Sequence, residues 1–269
     1  MPKIRINSPE DPRIAPYVDL RDRALGKRGG RFIAEGELVV QRLLESRFAV
    51  ESLLVAEPRL HRLEVPPGVP VYYAPRGLIE EIVGFRFHRG ILGCGVREPA
   101  GHWAPRCPGV AKEALAVVCS AIRDPVNLGG ILRNCAAFGV DLVLIGNRAA
   151  DPYSRRALRV SMAAALKLNI GMTDDLPGDV TRLREEFGFD CVASVLDSNA
   201  RPLAATPRPR RLALVLGNEY DGVEAPIQQA CATTVTIPMR LGTDSLNVAV
   251  SAGVLLYHFT QLAPRNGLI

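Results

Sequence analysis

Three polar loops, each lying where an apolar run gives way to a helical pattern, hold the side chains of this chain that could do chemistry. The first is Asp124-Pro125-Val126-Asn127-Leu128-Gly129-Gly130-Ile131-Leu132-Arg133-Asn134. The second is Leu214-Val215-Leu216-Gly217-Asn218-Glu219-Tyr220-Asp221-Gly222, and the third runs from Ile237-Pro238-Met239 to Ser245-Leu246-Asn247-Val248-Ala249. Ligands of α/β proteins collect at such strand-to-helix junctions, so three of them in one half of the chain imply a single composite site.

Each residue also has a plainer reading. Asn127 could cap a helix starting at Leu128. Gly129 and Gly130 allow a close backbone approach but do not make the G-x-G-x-x-G pattern of dinucleotide binding, which disfavours a Rossmann dehydrogenase. Arg133 falls on the second turn of an otherwise apolar helix, where an uncompensated guanidinium is costly to bury; a surface position or an anion-binding role is left. Gly217 lets a ligand approach the main chain, while Glu219 could cap a backbone N–H. Ser245 reads as the N-cap of a helix over 246–261, with Asn247 in its first turn. Three loops meeting on one sheet edge favour a site over three separate caps.

The elements that must position these loops follow from the apolar periodicity. Between residues 30 and 97, apolar runs at 31–34, 50–55, 69–73 and 91–96 alternate with helical patterns at 37–45 and 78–83, a small α/β domain. Proline and glycine concentrate over 99–109, as in a linker. Beyond it, strands are expected at 115–119, 141–145, 190–195, 212–216 and 234–238 and helices at 128–138, 155–165, 179–187, 224–231 and 245–261. Repeated strand-loop-helix units imply a mainly parallel sheet covered on both faces. The expected division is a first domain over 1–98, a linker over 99–112 and a second domain over 113–269.

Composition sets the outer bounds. The 269 residues, 48% hydrophobic and 23% charged, are those of a folded globular protein. Arginine outnumbers lysine 29 to 4, and the net charge of +5 leans mildly toward an anionic partner. Six cysteines without a C-x-x-C pair and four scattered histidines signal neither a zinc site nor a disulfide framework, and no metal is expected. No signal-peptide core and no run of membrane-spanning length is present, so a cytoplasmic location is expected.

The spacing Asn127-x-Gly129-x-x-x-Arg133, the loop Leu216-Gly217-Asn218-Glu219, and Ile237-Pro238-Met239 leading to Ser245-Leu246-Asn247-Val248-Ala249 resemble the three signatures of SpoU-type RNA ribose 2′-O-methyltransferases, of the SPOUT class. Arg31-Phe32-Ile33-Ala34-Glu35-Gly36 and Phe87-His88-Arg89-Gly90 resemble that family's amino-terminal RNA-binding domain. The resemblance implies a carboxy-terminal α/β domain tied in a deep trefoil knot, S-adenosylmethionine as cofactor, ribosomal or transfer RNA as substrate, and a homodimer. It implies cofactor contacts near Leu196, Leu216, Gly217, Ile237, Met239 and Leu246. Arg133 matches the catalytic arginine; Asn127 would orient Arg133 or the substrate, and Glu219, Ser245 and Asn247 would hold the loops and the ribose. RNA contacts are expected from Lys27, Arg28, Arg31, His88, Arg89, Arg155, Arg156 and Arg159, with Tyr153 as a stacking partner. One departure stands out: the family often has glycine after Asn-Glu, where this chain has Tyr220. The rival readings are a non-catalytic RNA-binding or assembly factor that keeps the fold, and a small-molecule nucleotide enzyme.

Overall fold

The apolar run at 50–56 becomes the centre of a sheet, and the last five residues of this strand, β3 (Val50–Ala56), are all buried. The structure is a computed structural model, which describes residues 3–20, 30–61, 64–98 and 102–264. One unit comprises Met1–Pro99 with Asp151–Lys167, the other Ala100–Ala150 with Leu168–Ile269. In the first, β1 (Lys3–Arg5), β2 (Arg31–Glu35), β4 (Val71–Ala74) and β5 (Ile91–Val96) join β3 in the order β1-β4-β3-β5-β2. Strands β1, β4 and β3 run parallel, and β5 is antiparallel to both β3 and β2. Helix α1 (Glu37–Leu44) buries Val39, Val40 and Leu43, and α2 (Arg76–Val83) buries Ile79, Ile82 and Val83, each an apolar stripe on one helix face. β1 was not expected; three residues are too few to show a period.

The second unit is built on seven parallel strands: β6 (Ala114–Cys119), β7 (Leu142–Gly146), β8 (Ile170–Thr173), β9 (Asp190–Ser194), β10 (Arg201–Pro202), β11 (Arg211–Leu216) and β12 (Thr233–Thr236). Their order is β10-β12-β9-β11-β6-β7-β8. Every residue of β6, β7 and β11 is buried, as strands covered on both faces require. The expected mainly parallel sheet is thus present, with β8 and β10 added. Helix α3 (Pro125–Ala137) follows β6. Between β7 and β8 the chain makes an excursion to the first unit, where α4 (Arg155–Val160) packs on β2. The helix expected over 155–165 stops at Val160 because Met162 and Ala163 adopt left-handed backbone angles of 53° and 59°. Helices α5 (Leu176–Glu185), α6 (Ala225–Ala230) and α7 (Val248–Tyr257) complete the second unit.

The stretch expected as a linker is partly core. Trp103 is 1% exposed and packs with Leu144, Leu176, Leu183 and Phe189. Arg211, at the start of β11 and 5% exposed, fastens the rest of the stretch. Its guanidinium donates to the carbonyls of Phe187 at 2.8 Å, Gly109 at 2.8 Å, Lys112 at 2.6 Å and Pro108 at 2.9 Å, and lies 4.4 Å from the centre of the Phe189 ring. One buried side chain thus ties four carbonyls of two separate segments together.

Candidate functional site

The strand order places β11 between β9 and β6, so the loops leaving the carboxyl ends of these three strands open beside one another. Crevices of this kind are where open parallel sheets bind ligands.

The loop after β6 ends in a cap: the Asp124 carboxylate accepts from the backbone N–H of Val126 at 2.9 Å, and Pro125 follows as the first helical residue. Helix α3 therefore begins three residues earlier than expected, and Asn127 is not its cap. The amide of Asn127 is free to reach outward. Its Nδ2 donates to Glu219 Oε1, and its Oδ1 accepts from Asn247 Nδ2 at 2.8 Å. Asn247 in turn caps α7, its Oδ1 accepting from the N–H of Ala249 at 3.0 Å and of Val250 at 3.4 Å. The helix expected from Ser245 starts instead at Val248, leaving the Ser245 hydroxyl outside the cap.

Small residues let α3 and α7 approach closely enough for this chain of bonds. A Cβ added at Gly130 would lie 2.7 Å from that of Ala249, and Asn134 Nδ2 donates to the Ala249 carbonyl at 2.8 Å. In the second loop, a Cβ at Gly217 would come within 2.0 Å of the Gly222 backbone, so only glycine lets this turn close on itself. Asn218 and Gly222 exchange two backbone hydrogen bonds of 3.1 Å, and Asn218 Oδ1 accepts from the N–H groups of Tyr220 and Asp221, each at 2.8 Å. The left-handed angle of this turn is carried by Gly222, at φ 66°, and Tyr220 is not among the positive-φ residues. The replacement of the family's glycine by Tyr220 therefore costs no backbone strain.

The second and third loops, with the turn after β9, line a cleft of about 550 Å³; Asn127 does not line it and reaches it only through its bonds to Glu219 and Asn247. Of the residues expected to contact the cofactor, Leu196, Leu216, Gly217 and Leu246 line it; so do Glu219, Ser245 and Asn247. Ile237 and Met239 do not. The last strand ends at Thr236, earlier than the expected residue 238, and Ile237 lies instead along a second, apolar groove with Leu203, Val254, Tyr257 and Leu262. Arg133 does not line the cleft either. Six residues along a helix turn it roughly 120° away from Asn127, and its guanidinium is exposed with no hydrogen bond or ion pair among the described residues.

A further contact was not visible in the sequence. Glu224 accepts from the Ser120 hydroxyl at 3.4 Å and pairs with Arg148, fastening the turns after β6 and β7 to the start of α6. No motif marks Glu224, which reads only as a residue before a helix. No cysteine among the described residues lines the cleft, and burial pushes the Cys119 and Cys191 thiols up to about 12.

In the first unit, the residues expected to touch RNA divide. Arg28, with Lys27, lies outside the described residues. Arg31 pairs with Glu51, His88 Nδ1 is 2.7 Å from Arg76, and Arg89 lies 3.8 Å from Glu35. Arg156 is exposed. Arg155 is drawn inward: its side chain is 13% exposed, 3.6 Å from the buried Glu35 and stacked 4.1 Å from the centre of the Phe85 ring. Tyr153 is likewise packed, against Phe32 and Phe48. Both are placed to hold α4 on the first unit's sheet rather than to meet a ligand. The pairing of Arg155 with Glu35 spans too much sequence to be read from local pattern.

The profile of the SpoU rRNA methylase family matches residues 114–257. An uncharacterized tRNA/rRNA methyltransferase of Mycobacterium tuberculosis is 37% identical, over 94% of this chain and 90% of that protein. The chain belongs to the SpoU rRNA methylase family. A second SpoU relative, a 23S rRNA guanosine 2′-O-methyltransferase of Bacillus subtilis, is 25% identical over 94% of this chain and 98% of its own length. Among solved structures, an AdoMet-bound rRNA methyltransferase from Sinorhizobium meliloti superposes with a TM-score of 0.82, covering 96% of this chain and 97% of that one at 21% identity. The SpoU profile spans β6 to α7, the elements that carry all three loops.

Proposed function

We propose that this chain transfers a methyl group from S-adenosylmethionine to a ribose 2′-hydroxyl of ribosomal or transfer RNA. The observation that carries this reading is the continuous hydrogen-bonded run Glu219–Asn127–Asn247, which ties the first loop to the two that line the cleft. The residues present fit the cofactor. The cleft is of ordinary ligand size, roughly 300–1,000 Å³, and its walls at Leu196, Leu216 and Leu246 are apolar.

When bound, S-adenosylmethionine supplies a methyl group on a sulfonium, an electrophile already activated. The protein's task is then to place the ribose oxygen in line and to stabilise the charge that grows on it. Asn127, fixed from both sides by Glu219 and Asn247, and the Ser245 hydroxyl hold the loops and the ribose. A guanidinium has five donors and no acceptor, so Arg133 does not take the proton; it clamps the adjacent phosphate and stabilises the developing alkoxide.

The working form in this reading is a homodimer. Helix α7 is apolar on all sides, and Val250, Val254 and Tyr257, at i, i+4 and i+7, are 52%, 40% and 49% exposed on one stripe that Leu262 continues. In this reading a symmetric pairing buries the stripe, and Arg133, exposed on the adjoining α3, serves the partner's cleft. Val254→Asp is expected to convert the dimer to a monomer in sedimentation velocity and to lower methyl transfer with it; a variant that stays dimeric contradicts the interface. The trefoil knot belongs to the same reading. It is supported by residues 195–210 touching both β12 and the chain's end, through Val195 N–H to the Val235 carbonyl at 2.9 Å, His258 Nε2 to the Thr206 carbonyl at 2.9 Å and Arg208 N–H to the Pro264 carbonyl at 3.0 Å.

The reaction is tested with tritiated S-adenosylmethionine and unmodified ribosomal and transfer RNA. Label is expected in nucleosides methylated at the ribose 2′-oxygen. Label confined to bases, or none, refutes the proposal.

A further inference from the structure

Tyr220 is 93% exposed, the most solvent-open aromatic ring among the described residues, and it sits on the wall of the cleft. An aromatic side chain left in water is ordinary on a mobile tip, but this turn is held. Asn218 Oδ1 accepts from the N–H groups of Tyr220 and Asp221, and the Asn218–Gly222 bridge closes the turn beneath them. The ring is thus presented from a braced support, with no ring contact to another side chain among the described residues. Its chain neighbours are Glu219 and Asp221, and Asp221 Oδ2 takes a hydrogen bond from Asn218 at 3.3 Å. Two carboxylates repel a phosphate, so what this turn offers a nucleic acid is a flat apolar face and not a backbone clamp.

We propose that Tyr220 is a stacking platform for an unstacked base of the substrate RNA at the mouth of the cleft; this rests on the methyl-transfer reading above. RNA enzymes and binding proteins read single-stranded segments by splaying bases onto aromatic rings, and such a stack tolerates any base because every base has a π-face. Methylation of a ribose inside the cleft requires its nucleotide to leave a helical stack, and a ring at the rim compensates for the stacking lost there. The phosphates on either side are left to exposed arginines of the same sheet edge, such as Arg123 before α3 and Arg240 after β12.

Three replacements test the idea. Tyr220→Ala is expected to raise the KM for unmodified ribosomal RNA about tenfold, with calorimetric affinity for S-adenosylmethionine unchanged. Tyr220→Phe keeps the ring and is expected to behave as the parent. In Tyr220→Trp, a new solvent-exposed indole is expected to be quenched when a single-stranded RNA of about 12 nucleotides is added. An unaltered KM in the alanine variant overturns the proposal, as does a phenylalanine variant equally impaired, which would assign the effect to the hydroxyl. Weakened cofactor binding in the alanine variant also overturns it, since the ring would then cover the cofactor. Should the parent transfer no methyl group to any RNA, the methyl-transfer reading fails, and quenching in the Tyr220→Trp variant still decides the stacking: its presence supports the platform and its absence removes it.

Discussion

Arg133→Ala is expected to lower methyl transfer roughly 10²–10³-fold at saturating RNA, while calorimetric affinity for S-adenosylmethionine stays at the parent value. The split follows from geometry. Arg133 stands off the cleft of its own chain, so nothing that holds the cofactor depends on it. It is also exposed and unpaired among the described residues, so its loss removes no internal contact and the variant folds. In the proposed reading, what disappears is a cation placed at the developing alkoxide and the neighbouring phosphate. The dimer reading adds a sharper result. Arg133→Ala mixed with Glu219→Ala, each impaired alone, is expected to regain activity after subunit exchange, because one cleft of the mixed dimer has an intact Glu219 and receives Arg133 from the other copy. A mixture as inactive as its components would place Arg133 in the cleft of its own chain.

The second large effect is on stability. Arg211→Leu strips the carbonyls of Phe187, Gly109, Lys112 and Pro108 of their shared donor. Each of these acceptors that stays out of water without a partner costs about 1–3 kcal/mol. The loss is read in urea unfolding followed by Trp103 emission, which is buried in the same unit. Arg211→Lys is expected to recover only a part: an ammonium is a single point with three donors and cannot reach four carbonyls in the spread of a planar fork. A lysine variant as stable as the parent would show that charge alone, and not the fork, holds residues 108–112.

Much of this architecture is legible in the residues, and the exceptions have physical causes. The runs Ala114–Cys119 and Arg211–Leu216 are apolar over nearly their whole length, and such runs have few alternatives to a strand covered on both faces. Helix starts were displaced in both site loops because several capping residues compete. Asp124 before Pro125 outcompetes Asn127, and Asn247 outcompetes Ser245, two residues from the expected cap in the third loop. In each case the displaced residue is left free for the site. β8 escaped notice because its four residues follow a helical pattern broken by two left-handed angles that no local signal announces. The convergence of Asn127, Glu219 and Asn247 could be expected from the loop positions; the turning of Arg133 away from them is a matter of helical phase. Long-range pairings such as Arg155 with Glu35, Glu224 with Arg148 and Arg211 with four carbonyls leave no periodic trace, and only the folded chain reveals them.

The position of β11 in the sheet sets the timetable of synthesis. Arg211 pairs with Ala114 on one side, and Leu212 with Asp190 on the other, so the central strand leaves the ribosome after both of its neighbours. Until it arrives, β6 and β9 each display a bare, largely apolar edge in the nascent chain, and parallel pairings between residues so distant in sequence form slowly. Unguarded edges of this kind invite pairing between chains. The second unit is therefore at greatest risk of aggregation during the interval between emergence of β9 and release of β11, a window in which a holding chaperone raises the yield of native protein most.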